Sequence, residues 1–289
     1  MTDILTIKEA LKKSAGYLQN KGSDSPRLDA EILLCHVLGL QRLDLYLQFD
    51  RPLSEEEKSE YRQLLSCRGD REPVAYITGE KEFMSLSFHV TPEVLIPRPD
   101  TEVLVEESVR LIEEWKKAKK VLPSVFEIGS GSGAISISLL HHFPDLEITA
   151  SDISDAALSI TRKNAERHHV LDRLQLMQGD LFAGAEGPFD MILSNPPYIA
   201  ESERESLSPE ITKYEPGEAL FAGKEGLDII FRILDEGEKK VSPGGWILVE
   251  IAPGQIKKLK SKIEADQKFS SSTEIHDYAG RVRVLRIKK

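Results

Sequence analysis

Val125-Phe126-Glu127-Ile128-Gly129-Ser130-Gly131-Ser132-Gly133 reads as a buried strand running into a glycine-rich loop, with a helix predicted over 132–142 behind it. A strand that passes through such a loop into a helix is the first unit of an alternating α/β sheet. The glycines permit a tight turn and let a ligand approach the backbone. Dinucleotide-binding folds use similar loops, and a bare strand-to-helix turn also uses glycine. Here the spacing is G-x-G-x-G, with Glu127 two residues before Gly129. That carboxylate would repel a pyrophosphate but attract a sulfonium or an amino group. The loop therefore predicts S-adenosyl-L-methionine (SAM), held by Glu127, Gly129, Ser130, Gly131, Ser132 and Gly133.

Downstream the alternation continues. Strands are predicted at 147–152, 174–180, 190–195 and 246–251, and helices at 154–169, 226–240 and 255–265. This pattern builds a mostly parallel sheet covered on both faces. Two last strands, 272–278 and 282–288, meet near Gly280 as an antiparallel hairpin at one edge. Upstream lies a predicted helix over 100–120, whose lysine-rich end complements the helix dipole. Phe83, Leu86, Phe88, Val90, Val94 and Ile96, punctuated by Pro92 and Pro97, predict a short hairpin linker. The first 75 residues are predicted all-helical, with helices at 6–21, from Ser25-Pro26 to Gly39, and at 54–68. The division is a helical domain over 1–75, a linker with a β-hairpin over 76–99, and an α/β domain over 100–289.

The strand ends carry the chemistry. Asp152 closes the second strand of the sheet, where a carboxylate accepts hydrogen bonds from both ribose hydroxyls. A helix cap is the competing role, for which Ser154 and Asp155 are also candidates. Asp180 closes the third strand and is expected to face an adenine amino group. Leu181 and Phe182 either flank the ring or belong to the core. Asn195-Pro196-Pro197-Tyr198 ends the fourth strand, at the carboxyl edge where such sheets bind ligands. Prolines fix φ and push the residue before them to extended geometry, so the carbonyls of Asn195 and Pro196 have restricted directions. The expected set is the Asn195 side-chain oxygen and the Pro196 carbonyl, each accepting one hydrogen of a planar –NH2. Tyr198 stacks on the group that carries it. An amide or aryl amine has its lone pair delocalised and is a poor nucleophile. Two acceptors on its hydrogens favour pyramidal nitrogen as a methyl arrives, with no strong general base required. The motif does not separate an amide from an adenine.

Bulk properties limit the classes. The 289-residue chain is 40% hydrophobic and 30% charged, which is ordinary for a globular protein of one large and one small domain. A net charge of −10 argues against bulk nucleic acid as the main partner. Cys35 and Cys67 form no C-x-x-C motif, and the seven histidines have no metal spacing, so no metal is expected. Two cysteines point to a reducing compartment. Met1-Thr2-Asp3-Ile4 lacks the basic and apolar regions of a signal peptide, and no apolar run reaches the ~18 residues of a membrane span. A cytoplasmic enzyme, monomeric and without a membrane partner, is the expectation.

Several segments together resemble the HemK/PrmC family, methyltransferases that modify the glutamine of the Gly-Gly-Gln loop in bacterial peptide chain release factors. They are Ile96-Pro97-Arg98-Pro99-Asp100-Thr101-Glu102, the loop 129–133, Ser151-Asp152-Ile153-Ser154 and Ser194-Asn195-Pro196-Pro197-Tyr198-Ile199. Glu215-Pro216 with Ala219-Leu220, and residues 277–283, complete the likeness. The Asn195-x-x-Tyr198 element alone is shared with adenine amino methyltransferases acting on DNA or RNA. The Pro97-Arg98-Pro99 segment and the helical N-terminal region are what favour the protein substrate. The resemblance implies a class I SAM-dependent methyltransferase fold, Rossmann-like, with a seven-stranded mostly parallel sheet and a small all-α substrate-recognition domain. It implies SAM contacts at Gly129, Ser130, Gly131, Gly133, Asp152, Leu181 and Asn195, with S-adenosyl-L-homocysteine as product. The glutamine is expected against Asn195, Pro196, Pro197 and Tyr198, with Arg98 bracing the cofactor pocket or the substrate loop. Some relatives carry an aromatic residue at Leu181, for which Phe182 is the expected substitute. A SAM-binding protein without turnover is the rival of another class, disfavoured by the intact motif.

Overall fold

The computed structural model describes residues 5–289; the reading of Met1, Thr2, Asp3 and Ile4 lies outside them. The chain forms two compact units, one reaching to Glu80 and including Ser208–Tyr214, the other made of Lys81–Leu207 and Glu215–Lys289.

The first unit is helical: α1 (Ile7–Asn20), α2 (Pro26–Leu38), α3 (Arg42–Leu47), α4 (Glu55–Gly69) and α5 (Val74–Thr78). Thr6 and Ser54 start α1 and α4 with reciprocal capping boxes to Glu9 and Glu57. Ile7, Ala10, Leu11 and Leu18 form the buried stripe of α1, packed with Ala30, Leu33 and Leu34 of α2. Charges are buried here too. The Glu31 carboxylate receives Arg27 at 2.6 Å, Arg42 at 2.7 Å and the Tyr46 hydroxyl at 2.6 Å. Arg68, its side chain 7% exposed, donates to Asp29 at 2.7 Å and to Glu210 at 3.0 Å. Arg71 donates to the other Glu210 oxygen at 2.7 Å.

The second unit opens with the hairpin β1 (Glu80–Phe83) and β2 (Leu86–His89), followed by α6 (Glu102–Lys119), β3 (Val125–Ile128), α7 (Ala134–His142), β4 (Ile148–Asp152) and α8 (Asp155–Arg167). Then come β5 (Leu174–Gln178) and β6 (Phe189–Ser194). The helix α9 (Pro209–Tyr214) belongs to the first unit. The second unit finishes with α10 (Asp228–Lys240), β7 (Val241–Glu250), α11 (Ile256–Asp266), β8 (Ser271–His276) and β9 (Val282–Lys288). Its seven-stranded sheet has the order β5-β4-β3-β6-β7-β9-β8. Only β9 runs antiparallel to its neighbours β7 and β8. The period-2 pleat divides the apolar residues between two cores. Met191, Leu193 and Leu248 join α6 and α7 on one face, while Phe126, Ile192, Ile247 and Val249 join α10 and α11 on the other. Strand order reverses direction between β3 and β6, which opens a crevice at their carboxyl ends.

The fold is the α/β class and the seven-stranded sheet that the sequence implied. Differences are local. The third strand of the sheet stops at Gln178, not at Asp180: its last ladder bond runs from the Gly179 N–H to the Asp152 carbonyl at 3.0 Å, and β4 ends at Asp152, so no strand remains beside Asp180 to pair with. Ser208–Tyr214, read from sequence as part of the 100–289 block, clusters with the helical unit, where Glu210 neutralises two arginines. No described helix is long and apolar enough to cross a membrane.

Arg68→Ala leaves Asp29 and Glu210 as buried carboxylates short of a partner, which costs about 3–5 kcal/mol. Urea unfolding should show this loss, and trypsin should cut faster near Lys213. An unchanged midpoint would mean that the charge cluster contributes nothing to the unit.

Candidate active site

The crevice holds a cavity of about 390 Å³. Its floor is the loop after β3. Gly129 and Gly131 have φ of 76° and 54°, and a Cβ added to either would meet nothing within 4 Å. They present bare backbone to open space, as close approach of a ligand requires. Gly133 differs. Its Cβ would lie 2.7 Å from Ile137 Cδ1, so it serves the packing of α7 and is not part of the cavity wall. From α8, Thr161 donates to the Gly131 carbonyl at 2.8 Å, and Asn164 donates to the Ser132 carbonyl at 2.8 Å. Sequence reasoning missed these two braces. Their signal is a pair of polar residues at i, i+3 on the buried face of an amphipathic helix.

Glu127 points into the wall beneath α7. Its Oε2 accepts from the Ser136 N–H at 3.1 Å and from the Ser136 hydroxyl. Its Oε1 is buried with no partner. Burial pushes this carboxyl up to about 8, with the Asp152 charge adding to the rise. An orphaned carboxylate oxygen beside an open glycine loop fits a ligand that carries a positive charge there. Asp152 lines the same cavity. Its Oδ2 accepts from the Gly131 N–H at 2.9 Å and its Oδ1 from the Ser154 N–H at 3.0 Å, while Ser154 itself caps α8. A carboxylate has about four acceptor positions, so two remain for a ligand.

At the far side Leu181 lines the cavity with φ 53°, its carbonyl accepting from the Ser151 hydroxyl at 2.8 Å. Asp180 reaches the rim but pairs with Arg232 at 2.9 Å and is half exposed. Phe182 does not substitute for an aromatic at Leu181. It stacks on Phe126, centroids 5.5 Å apart, inside the core with Phe189, and lies outside the cavity wall.

Beyond β6, Asn195, Pro196 and Pro197 line the cavity. Asn195 Nδ2 donates to Thr101 Oγ1 at 3.0 Å, while Asn195 Oδ1 is buried without a partner. Tyr198 is outside the wall. Its hydroxyl donates to Glu250 at 3.2 Å, and its carbonyl accepts from Gln255 at 2.8 Å. Burial, then the neighbouring Glu250, raises the Tyr198 hydroxyl well above the usual phenol range. Arg98 lines the cavity and pairs with Glu215, a buried carboxyl that burial raises despite the guanidinium. Thr101 and Glu250 were not singled out from sequence. The available clue was a glutamate closing an apolar strand, as Asp152 closes another.

The described residues hold no cluster of metal-ligating side chains. A glycine loop at the switch point, an acidic residue ending the adjoining strand and an Asn-Pro-Pro-Tyr motif beyond the next define the class of SAM-dependent methyltransferases. The fold is shared with the hMettl16 catalytic domain in complex with a MAT2A 3'UTR hairpin, at TM-score 0.55 and 17% identity over 82% of this chain and 84% of that one. It is also shared with the T. thermophilus 16S rRNA methyltransferase RsmC in complex with AdoMet and guanosine, at TM-score 0.53 and 18% identity over 73% and 49%. Residues 9–79 match the PrmC N-terminal domain and residues 107–213 the methyltransferase small domain. The chain is 40% identical to a release factor glutamine methyltransferase of Rhodopirellula baltica over 98% of its length and 96% of that protein's. Enzymes of the same name from Geobacter sulfurreducens and Clostridium botulinum are 42% and 37% identical, over 88% and 99% of this chain and 86% and 100% of theirs. The chain belongs to the release factor glutamine methyltransferase family.

Glu127 carries a stability signature. Its folded value of about 8 stands above the ordinary 4.5, so between the two the folded chain holds a proton that the unfolded chain has lost. The stabilisation is full below the lower value and disappears as pH rises through the upper one. Without SAM, Glu127→Gln should therefore gain in Tm relative to the parent as pH rises from about 5 to about 9. A constant difference across that range would show that Glu127 is ionised throughout.

Proposed function

We propose that the chain transfers the methyl group of SAM to N5 of the glutamine in the Gly-Gly-Gln motif of bacterial peptide chain release factors, with S-adenosyl-L-homocysteine as product. The observation that carries this reading is the Asn195 carboxamide: its Nδ2 donates to Thr101 and its buried Oδ1 has no partner. Such a group lacks only a donor, and a substrate –NH2 supplies one. The kinship with release factor glutamine methyltransferases supports an amide as that donor. Adenine, which the motif alone also admits, has no observation in its favour, and the net charge of −10 weighs against it.

Bound SAM supplies a methyl on a sulfonium, already a good leaving group. The residues around it bind and orient. The backbone of Gly129, Ser130, Gly131 and Ser132 lies along the ligand, and Glu127 Oε1 receives its cationic portion. Asp152 takes the ribose hydroxyls and Leu181 packs on the adenine. Gly133 acts from behind, by fixing the start of α7, and Asp180 contributes through its ion pair with Arg232. Asn195 Oδ1 and the Pro196 carbonyl accept the two amide hydrogens. That holds the nitrogen in line and favours its pyramidal form, so the lone pair becomes available. The methylated nitrogen then sheds one proton to solvent and the amide is restored. Pro197 stiffens the turn. Tyr198, tied to Glu250, supports the glutamine from behind the wall rather than as an exposed stacking ring. Translation as the setting, together with two free cysteines, supports a reducing cytoplasmic location.

The helical unit is the docking element for the folded release factor. Leu43 and Leu47 of α3 are 69% and 75% exposed, with Tyr46 beside them at 45%. Apolar side chains gathered this way mark a protein contact.

Mass spectrometry should find one added methyl on the release-factor glutamine in the presence of the enzyme and SAM. Asn195→Ala should lower transfer by roughly 100-fold or more while SAM affinity stays within about twofold. Normal turnover in that variant would remove the assignment of Asn195. Leu43→Ser with Leu47→Ser should raise KM for a whole release factor by about tenfold and leave KM for a short Gly-Gly-Gln peptide unchanged. Equal effects on both substrates would place docking elsewhere.

A further inference from the structure

The ring expected from the sequence motif is missing from the site, since Tyr198 stands outside the cavity wall with its hydroxyl on Glu250. Among the described residues that line the cavity, Phe221 is the one aromatic. Its backbone is fixed against the same turn. The Ile199 N–H donates to the Leu220 carbonyl at 2.9 Å and the Ala222 N–H to the Ile199 carbonyl at 3.0 Å, which sets Phe221 level with Ile199 in a parallel bridge. Further on, the Glu201 N–H donates to the Gly223 carbonyl at 2.9 Å. One face of the ring is taken. The Arg204 guanidinium carbon lies 3.8 Å from the ring centroid, and Arg204 Nη2 donates to Glu201 at 3.0 Å. A planar guanidinium at that distance packs on the ring and is attracted to its π electrons. The opposite face and the ring edge remain to border the cavity.

Two bound groups have a use for a flat apolar wall, the adenine of SAM and the glutamine side chain. The adenine side has its own cover: Leu181, with Ile229 and Arg232 of α10, lines the cavity there, and Arg232 pairs with Asp180 at 2.9 Å. In the sheet, β3 separates β6 from β4 and β5. Phe221 is fastened to the chain that leaves β6, four residues beyond Asn195, whose buried Oδ1 has no partner. A glutamine side chain is two methylenes and a planar carboxamide. A phenyl ring offers it apolar area and a flat face, with no donor or acceptor of its own. Both amide hydrogens are then left to Asn195 Oδ1 and the Pro196 carbonyl. A phenol in the same place would compete for them, because its oxygen accepts hydrogen bonds.

We propose that Phe221 is the aromatic wall of the glutamine subsite: its ring packs on the methylenes and the carboxamide plane of the substrate glutamine, in the stacking role expected of Tyr198, and Arg204 is a positioning residue that holds the ring from behind. The proposal rests on a glutamine side chain as the methyl acceptor. A ring packed on the acceptor acts alike before and during transfer, so it contributes to KM more than to kcat. Tyr198 and Phe221 thus divide the work. The Tyr198 hydroxyl anchors the turn on Glu250, and Phe221 faces what the turn binds.

Binding can be measured without turnover, by calorimetry of a short Gly-Gly-Gln peptide on the full-length enzyme saturated with S-adenosyl-L-homocysteine; SAM affinity is measured separately. Phe221→Ala should weaken the peptide by about tenfold, with SAM affinity within about twofold of the parent. Phe221→Leu keeps apolar volume in case the alanine variant fails to fold, and should still weaken the peptide by about threefold because the flat face is gone. Unchanged peptide affinity in Phe221→Ala, or in Phe221→Leu where only that variant folds, would overturn the proposal. A loss confined to SAM affinity would put the ring on the adenine and overturn it equally. Arg204→Ala should raise KM for the peptide by about threefold, with kcat within about twofold. A fall in kcat at unchanged KM would remove Arg204 as a positioning residue. Failure of the parent enzyme itself to methylate the glutamine would overturn the functional reading, and the proposal with it. A parent that transfers normally, beside a Phe221→Ala that binds the peptide as tightly, would confine the failure to the ring.

Discussion

The structure depends on the register between β3 and its two parallel neighbours. Ile128 stands opposite Ser151 of β4 on one side and Ser194 of β6 on the other. The three strands therefore end at the same height, and Gly129, Asp152 and Asn195 leave the sheet together. A slip of one residue would exchange the two faces of a strand, so the packing of Phe126 and Ile192 into one core and of Met191 and Leu193 into the other locks the site as well as the fold. Small hydroxyls fasten the ends. Ser194 donates to the Ile128 carbonyl at 3.0 Å, and Ser151 donates to the Leu181 carbonyl at 2.8 Å. The same pleat that buries Phe126 sends Glu127 to the opposite face, under α7, where a carboxylate would otherwise be costly.

Much of this was legible because it rests on local signals. Alternating apolar runs and glycine loops gave the strands and helices of the α/β unit, and the strand ends gave Asp152 and Asn195. The helices α3, α5 and α9 were not legible, being six residues or shorter and too brief to show a helical period. Phe182 shows another limit. A residue at a strand's carboxyl end has two faces to choose from, and Leu181, with φ 53°, turns the chain so that Phe182 enters the core. Gly133 likewise belongs to the loop by spacing but to helix packing by contact. Thr161, Asn164, Thr101 and Glu250 meet their partners across long sequence separations, so local spacing marks some of them as polar residues on buried faces but does not reveal what they hold.

Three buried glutamates share one arrangement. Glu127, Glu215 and Glu250 each have one oxygen engaged, by Ser136, Arg98 and Tyr198 respectively, and a second oxygen without a partner. Burial raises all three. A core built for stability alone would replace such groups with neutral or apolar ones, since an unsatisfied buried acceptor costs about 1–3 kcal/mol. The cost falls where ligand contacts or hydrogen-bond direction demand it. Glu127 lines the cavity, Glu215 holds an arginine of its wall, and Glu250 receives the Tyr198 hydroxyl behind the wall. An acceptor-only group differs from an amide or a hydroxyl in one respect: it dictates which way its neighbours point. On that argument the destabilised positions of this fold are the ones that fix the direction of the groups bonded to them, the Ser136 and Tyr198 hydroxyls and the Arg98 guanidinium.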